Sequence, residues 1–346
     1  MSKGRRYGPH GAAWLGALGK TPPAWSLLAI LVLTIALPAL GLLNAYLQQV
    51  FMYVGINIIL VSGLNLINGY MGEFSVGHAA FMGVGAYTSA ILTVWVIPKA
   101  QAPLMFPLVL LAGGIAAALA GLLVSVPSFK TRGDYLAIVT LAFNMIVKSA
   151  LENIDAVGGP RGLLGIEKLT SMAWVYIWVV VTVFCIRNVV YSNYGRGVMS
   201  IREDEIAAEL VTVDTRQCKI AAFVIAAFFA GVAGGLYAHL LQFINPRSFA
   251  LFPKSTEILA MVYLGGVGSL GGSILGATIF TVALEVLRPL GVWRWVATPL
   301  CLVLLMIFRP TGIMGLREWK MLVPAAERVD PEQAHELGEV RPNVPS

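Results

Sequence analysis

Charged residues are absent from five long stretches of the chain, between Lys20 and Glu73, Glu73 and Lys99, Lys99 and Lys130, Lys219 and Arg247, and Glu257 and Glu285. A helix in a soluble core keeps one wet face, so blocks this long read as membrane spans of about 20 residues each. The first block is too long for one helix, and the polar Asn44, Gln48 and Gln49 divide it into spans near 26–43 and 50–67. A Gly-rich segment, 69–77, leads into a third span ending near Ile97, and Pro98, Lys99, Pro103 and Pro107 punctuate the turn before a fourth near 104–126. A fifth span near 133–151 requires Asp134 and Lys148 at its ends to snorkel or to face the protein interior. Further spans lie near 173–188, 220–241 and 292–308, while 256–288, interrupted by Gly265, Gly266, Gly268, Gly271 and Gly272, forms one span or two short ones. The pattern predicts an all-α membrane protein, a polytopic helical bundle of about nine or ten transmembrane helices with a Gly-interrupted segment in each half.

Composition agrees with a lipid-embedded chain rather than the two soluble domains that 346 residues allow, since 58% is hydrophobic, 12% is charged and mean hydropathy is +0.78. The formal charge of +6 does not point to nucleic acid, because the basic residues sit at span ends and in short loops without interleaved aromatics. Their distribution sets topology instead: the arm 1–25, the turn 127–132 and the loop 189–219 hold the Lys and Arg residues expected on the cytoplasmic side. Two crossings within 256–288 would return the carboxyl terminus to that side, and one would not. Residues 26–312 therefore read as the membrane domain and 313–346 as a polar tail expected to be disordered. Cys185, Cys218 and Cys301 are isolated, which excludes paired metal-ligand spacing and leaves packing thiols.

Candidate chemistry collects where polar residues and glycines enter the apolar blocks. Asn65, Asn68, Gly69, Gly72, Glu73, Ser75, Gly77 and His78 place a charge, an imidazole and a Gly-rich backbone at membrane depth, tolerated only beside protein or a water-filled cavity. Gly265, Gly266 and Gly268 interrupt a second segment, and paired interruptions point to a transporter with its pathway or hinges at the repeat interface, or to close helix packing through small residues. His78 reads as a proton relay or as a histidine bonded to a neighbouring helix, and Glu73 as an intramembrane site or as a carboxylate favoured at a helix amino terminus. In the 189–219 loop, Arg202, Glu203, Asp204, Glu205, Ile206, Ala207, Ala208 and Leu210 belong to a short amphipathic helix with Met199, Ile206, Leu210 and Val213 near one face. Such a helix suits docking in another protein's groove, or else is a solvated connector. Phosphate-loop, HExxH and nucleophile-elbow patterns are absent, so the sequence gives this chain no enzyme active site, cofactor or metal.

Five motifs in order, Gly72-Glu-Phe-Ser75-Val-Gly77-His78-Ala-Ala-Phe81, Arg132-Gly-Asp-Tyr135-Leu-Ala-Ile-Val-Thr-Leu-Ala-Phe143, Gly158-Gly-Pro160-Arg-Gly162, Arg202-Glu-Asp-Glu205-Ile-Ala-Ala208 and Leu264-Gly-Gly-Val-Gly-Ser269, resemble the permease subunits of branched-chain amino acid ABC importers. The resemblance runs from about residue 50 to Gly312.

It implies a multi-pass protein of the cell inner membrane that pairs with a second homologous permease. It implies two cytoplasmic ATPase subunits that bring ATP and Mg2+, and a periplasmic or tethered substrate-binding protein. The stretch around Glu205-Ile-Ala-Ala208 resembles the family's coupling segment, and the cargo implied is a branched-chain or related amino acid, with urea or short amides carried by close relatives. Three positions depart from the family pattern. Thr212 stands where Gly is usual, Met145 where an acidic residue is common, and Glu73 where an uncharged residue is frequent. The competing classes are an ion-coupled secondary transporter using Glu73 and His78, and a structural scaffold, against which the Gly breaks and costly polar residues argue.

Overall fold

The computed structural model describes residues 31–32, 34, 43–130, 135–250, 254–293, 296, 300, 303, 307, 311–315, 318–319 and 322–323. The arm 1–25 and most of the expected spans near 26–43 and 292–308 lie outside the described residues, as does the tail beyond 323. Among the described residues the regular structure is helical: α1 (Ala45–Asn65), α2 (His78–Ile91), α3 (Ala102–Ser128), α4 (Tyr135–Asn153), α5 (Met172–Val190), α6 (Asn193–Glu203), α7 (Glu205–Leu210), α8 (Thr215–Leu241), α9 (Thr256–Gly265) and α10 (Leu270–Val286). Two π-helical turns, Leu66–Tyr70 and Leu92–Val96, extend α1 and α2.

Among the described residues six helical segments are long and apolar enough to cross a bilayer: Ala45–Tyr70, His78–Val96, Lys99–Ser128, Tyr135–Asn153, Met172–Val190 and Thr215–Leu241. The chain is thus an all-α, multi-pass membrane protein. The ambiguous block 256–288 resolves into two antiparallel short helices, α9 and α10, joined at Gly266–Ser269. Their crossing is close because glycine faces glycine: a Cβ on Gly265 would stand 1.9 Å from the Gly272 carbonyl oxygen. Both are shorter than the six long segments, and Glu318 returns to the end where they turn.

α8 is the central helix and packs chiefly against α3 and α2. Small residues let the backbones approach, as where Gly85 meets Gly231 and Gly121 meets Ala227. By contrast α4 is peripheral, with Ile138, Leu141, Met145 and Ile146 exposed along it, and Lys148 near its end pairs with Glu152 at 3.9 Å.

The ends of the helices sort the loops by side. Tyr70, Ser128, α6, α7 and the start of α8 gather with Lys130, Arg196, Arg202, Arg216 and Lys219 at one end, the end expected on the cytoplasmic side from the positive-inside preference. At the other end Leu163 pairs with Ile244 in an isolated antiparallel bridge, and the Tyr46 hydroxyl bonds to Glu285.

Candidate functional site

At the cytoplasmic end the two broken segments meet. Asn65, fully buried on the last turn of α1, donates through Nδ2 to the Ser269 carbonyl at 2.8 Å and the Ser273 hydroxyl at 2.7 Å, and its Oδ1 accepts from the Gly268 amide at 2.9 Å. One carboxamide thereby serves the backbone freed between α9 and α10, where Gly266 (φ 128°) and Gly268 (φ 83°) hold conformations that side chains rarely adopt. Gly69 lies directly against this turn, since a Cβ there would come within 2.3 Å of the Gly268 nitrogen. Each such hydrogen bond between membrane helices contributes about 1 kcal/mol.

The amino end of α10 has a second cap from far along the chain. Glu318 accepts from the Leu270 and Gly271 amides at 2.7 and 2.8 Å and from the Tyr70 hydroxyl at 3.2 Å, placing a carboxylate on the positive end of the helix. Nearby, Arg187 Nε donates to the Leu322 carbonyl at 2.5 Å. Residues just beyond Gly312, expected to belong to the disordered tail, therefore pack where they are described, because unpaired helix amides attract a carboxylate.

The segment between α1 and α2 is held from both sides. Asn68 Oδ1 accepts from the Ser75 amide at 3.2 Å and its Nδ2 donates to the Ser75 carbonyl at 3.4 Å. The Val76 amide bonds to the Thr140 hydroxyl at 3.2 Å, and Gly77 abuts the Thr140 carbonyl, 2.4 Å from where a Cβ would stand. Glu73 precedes α2 by several residues and does not cap it. Instead Lys219, with a side chain only 7% exposed, reaches Glu73 at 2.6 Å and Glu205 at 2.8 Å. Its ammonium also lies 5.8 Å from the centroid of the Phe129 ring. Arg202 adds a second tie through Nη1 to the Gly69 carbonyl at 3.4 Å, while its Nη2 pairs with Glu203 at 2.5 Å. Thus residues proposed for coupling and residues proposed for the pathway are joined through one lysine.

The loop helix itself differs from the expected single amphipathic element. It breaks at Asp204 (φ −160°, ψ 113°), whose Oδ1 accepts from the Ile206 and Ala207 amides at 2.9 and 3.0 Å and so starts α7 afresh. Met199 and Val213 pack against the core, whereas Ile206 and Leu210 are 65% and 80% exposed, so the four do not share one face. Ala208 is buried beneath them. α7 ends with the Thr212 amide bonding to the Glu209 carbonyl at 3.0 Å and the Val213 amide to the Ala208 carbonyl at 3.1 Å, a Schellman closure that puts Thr212 at φ 65°. Glycine suits that conformation, and a β-branched residue there is strained.

His78 is buried at the start of α2 beside Gly63, edge-on to Phe81, with the Leu60 backbone of α1 next to its ring. The Ser75 hydroxyl is buried and without a partner among the described residues, and Met145 is half exposed on α4.

Lys219 and Glu318 were missed as site residues. Lys219 bounds an uncharged run and served only to orient the loop; Glu318 lies in a polar segment with no periodicity. Among the described residues no cluster of His, Cys, Asp and Glu could hold a metal ion.

Residues 46–309 match the model of a family described as "Branched-chain amino acid transport system / permease component". The chain is 34% identical over 329 residues to the high-affinity branched-chain amino acid transport system permease protein LivM of Escherichia coli, covering 84% of this chain and 74% of that protein. It is 33% identical over 131 residues to LivH of Salmonella typhimurium, covering 37% and 42%. A probable branched-chain amino acid transport permease LivM of Methanocaldococcus jannaschii is 25% identical over 224 residues, 60% of this chain and 64% of that one. No solved structure matches.

Proposed function

This chain belongs to the branched-chain amino acid transport permease family, a membrane-embedded transport subunit rather than an enzyme, and from that premise we propose its place in the machine. It is one of two permeases of an ABC importer in the inner membrane, its partner a related permease, and its cargo a branched-chain or related amino acid delivered by an external binding protein. Two cytoplasmic ATPases bind ATP and Mg2+ and grip α7. Here the exposed Ile206 and Leu210 supply an apolar contact, and the capped, two-turn α7 supplies rigidity.

The observation that carries this reading is the Glu205–Lys219–Glu73 bridge, which ties α7 to the broken end of α1 and hence, through Asn65, to the α9–α10 turn. Displacement of α7 by a closing ATPase pair would be felt at those hinges, and an equilibrium between inward- and outward-open bundles can be biased only by such differential contacts. The ion-coupled alternative draws on Glu73 and His78, but Glu73 is committed to an ion pair and His78 is sealed from water.

The test is uptake by the purified permease pair in proteoliposomes, with its ATPases and binding protein. Accumulation of a branched-chain amino acid that requires internal ATP and survives collapse of ion gradients is expected. Accumulation that follows the ion gradient without ATP would overturn the reading.

A further inference from the structure

The two described arms of the connection from α8 to α9, 242–250 and 254–255, both reach half the depth of the bundle. Phe249, ending the short 3-10 turn Pro246–Phe249, packs on Gly83 and Tyr87 of α2, and its carbonyl accepts from Asn144 Nδ2 at 3.3 Å midway along α4. Lys254, on the other arm, reaches Asn57 Oδ1 at 3.3 Å, and Asn57 stands halfway along the span Ala45–Tyr70. Backbone outside regular helices at this depth is tolerated where it is buried in protein or lines a polar cavity.

Polar groups here are left open. The Lys254 side chain is 11% exposed, yet among the described residues its ammonium has, besides Asn57, only Glu257 at 3.7 Å and the Tyr237 ring, 5.6 Å from the centroid. Neighbouring Ser255 is 1% exposed, and its hydroxyl has no partner among the described residues; the Tyr87 hydroxyl and Asn144 Oδ1 are in the same condition. Buried groups of this kind cost free energy unless something completes them. The surrounding wall is aromatic, running Tyr53, Tyr237, Phe249, Tyr87 with centroids 6.1, 6.0 and 6.2 Å apart. Tyr53 also lines a cleft of about 470 Å³ at the outer end, together with Tyr46, Gln49, Glu285 and Arg288.

A cation next to a carboxylate, with open hydroxyls between aromatic faces, is the chemistry that receives a zwitterion carrying an apolar side chain. We propose that Lys254, Ser255, Asn57 and the Tyr237 ring form a half-depth binding site for an amino acid. The substrate carboxylate completes Lys254 and Ser255, and its apolar side chain lies on Tyr237. The site rests on the importer reading above, whose substrate class it places.

The test is amino acid uptake at saturating liganded binding protein, by complexes recovered in wild-type yield. Lys254→Gln is expected to lower uptake by about tenfold or more, the size of one charge-assisted hydrogen bond, with Lys254→Arg recovering part of it. A merely structural Lys254–Glu257 pair would instead let the double variant Lys254→Gln/Glu257→Gln regain wild-type uptake, and that result overturns the site. Should Lys254→Gln fail to assemble, Ser255→Ala removes a hydroxyl with no partner among the described residues; a fall of about threefold supports the site, and unchanged uptake overturns it. Failure of the wild-type complex to take up any amino acid would fell the importer reading itself, separately from the site.

Discussion

The cytoplasmic junction and the half-depth loop are both built on interrupted helices, and they treat their polar groups in opposite ways. At the junction Lys219 holds two carboxylates, Asn65 uses both ends of its carboxamide, and Glu318 caps the amides of α10. Half a helix away, Ser255, Tyr87 and Asn144 keep buried polar atoms without partners among the described residues, and Lys254 is only loosely paired. Ser62, similarly open, lies between the two levels on α1. A saturated network moves as one piece and can pass a displacement on. An unsaturated one stands ready for a group from outside, and the proposed division of labour between coupling and substrate follows from that contrast.

The contrast breaks most severely at Gly69. In Gly69→Ala the new methyl would stand 2.0 Å from Asn65 Oδ1 and 2.3 Å from the Gly268 nitrogen, so the two broken segments must part. A loss of about 3 kcal/mol or more is expected, seen as a collapse in thermal midpoint and in yield of monodisperse protein. Next in size is Leu210→Asp on the exposed face of α7, which leaves this chain's own stability unchanged but weakens ATPase association by about 2 kcal/mol, measured by co-purification and titration. Asn65→Ala orphans the Gly268 amide and should cost about 1–2 kcal/mol in detergent unfolding, without the steric damage of the glycine change. Smallest, and opposite in sign, Thr212→Gly relieves the left-handed strain at the end of α7 and should raise stability by about 1 kcal/mol with transport intact.

Much of the architecture was legible from charge spacing. The charge-poor stretches located the spans that fall among the described residues, and the glycine runs located both interruptions, because a bilayer penalises charge and unpaired backbone along the sequence itself. The paired helices α9 and α10 were left open as one span or two, since glycines mark a break without saying whether the chain turns back. What stayed hidden was pairing over distance. Lys219 and Glu73 are separated by 146 positions, and Asn65 and Gly268 by 203, so neither partner is visible from its own neighbourhood. The split of the loop helix at Asp204 was a local signal passed over: an Asp followed by Glu-Ile-Ala-Ala is a helix start, and the periodicity across it concealed the restart. The depth of the α8–α9 connection had no sequence mark, as a loop of mixed polar and aromatic residues reads alike at the surface and inside.

The central claim, that Lys219 transmits the motion of α7 to the broken helices, is tested most directly by the amount of amino acid taken up per ATP hydrolysed in the reconstituted Lys219→Met complex. Removing the ammonium leaves Glu73 and Glu205 facing each other with nothing between them. The account predicts that ATP hydrolysis persists while uptake per ATP falls by about tenfold, with partial recovery in Lys219→Met/Glu73→Gln. Uptake per ATP equal to wild type in Lys219→Met would contradict it.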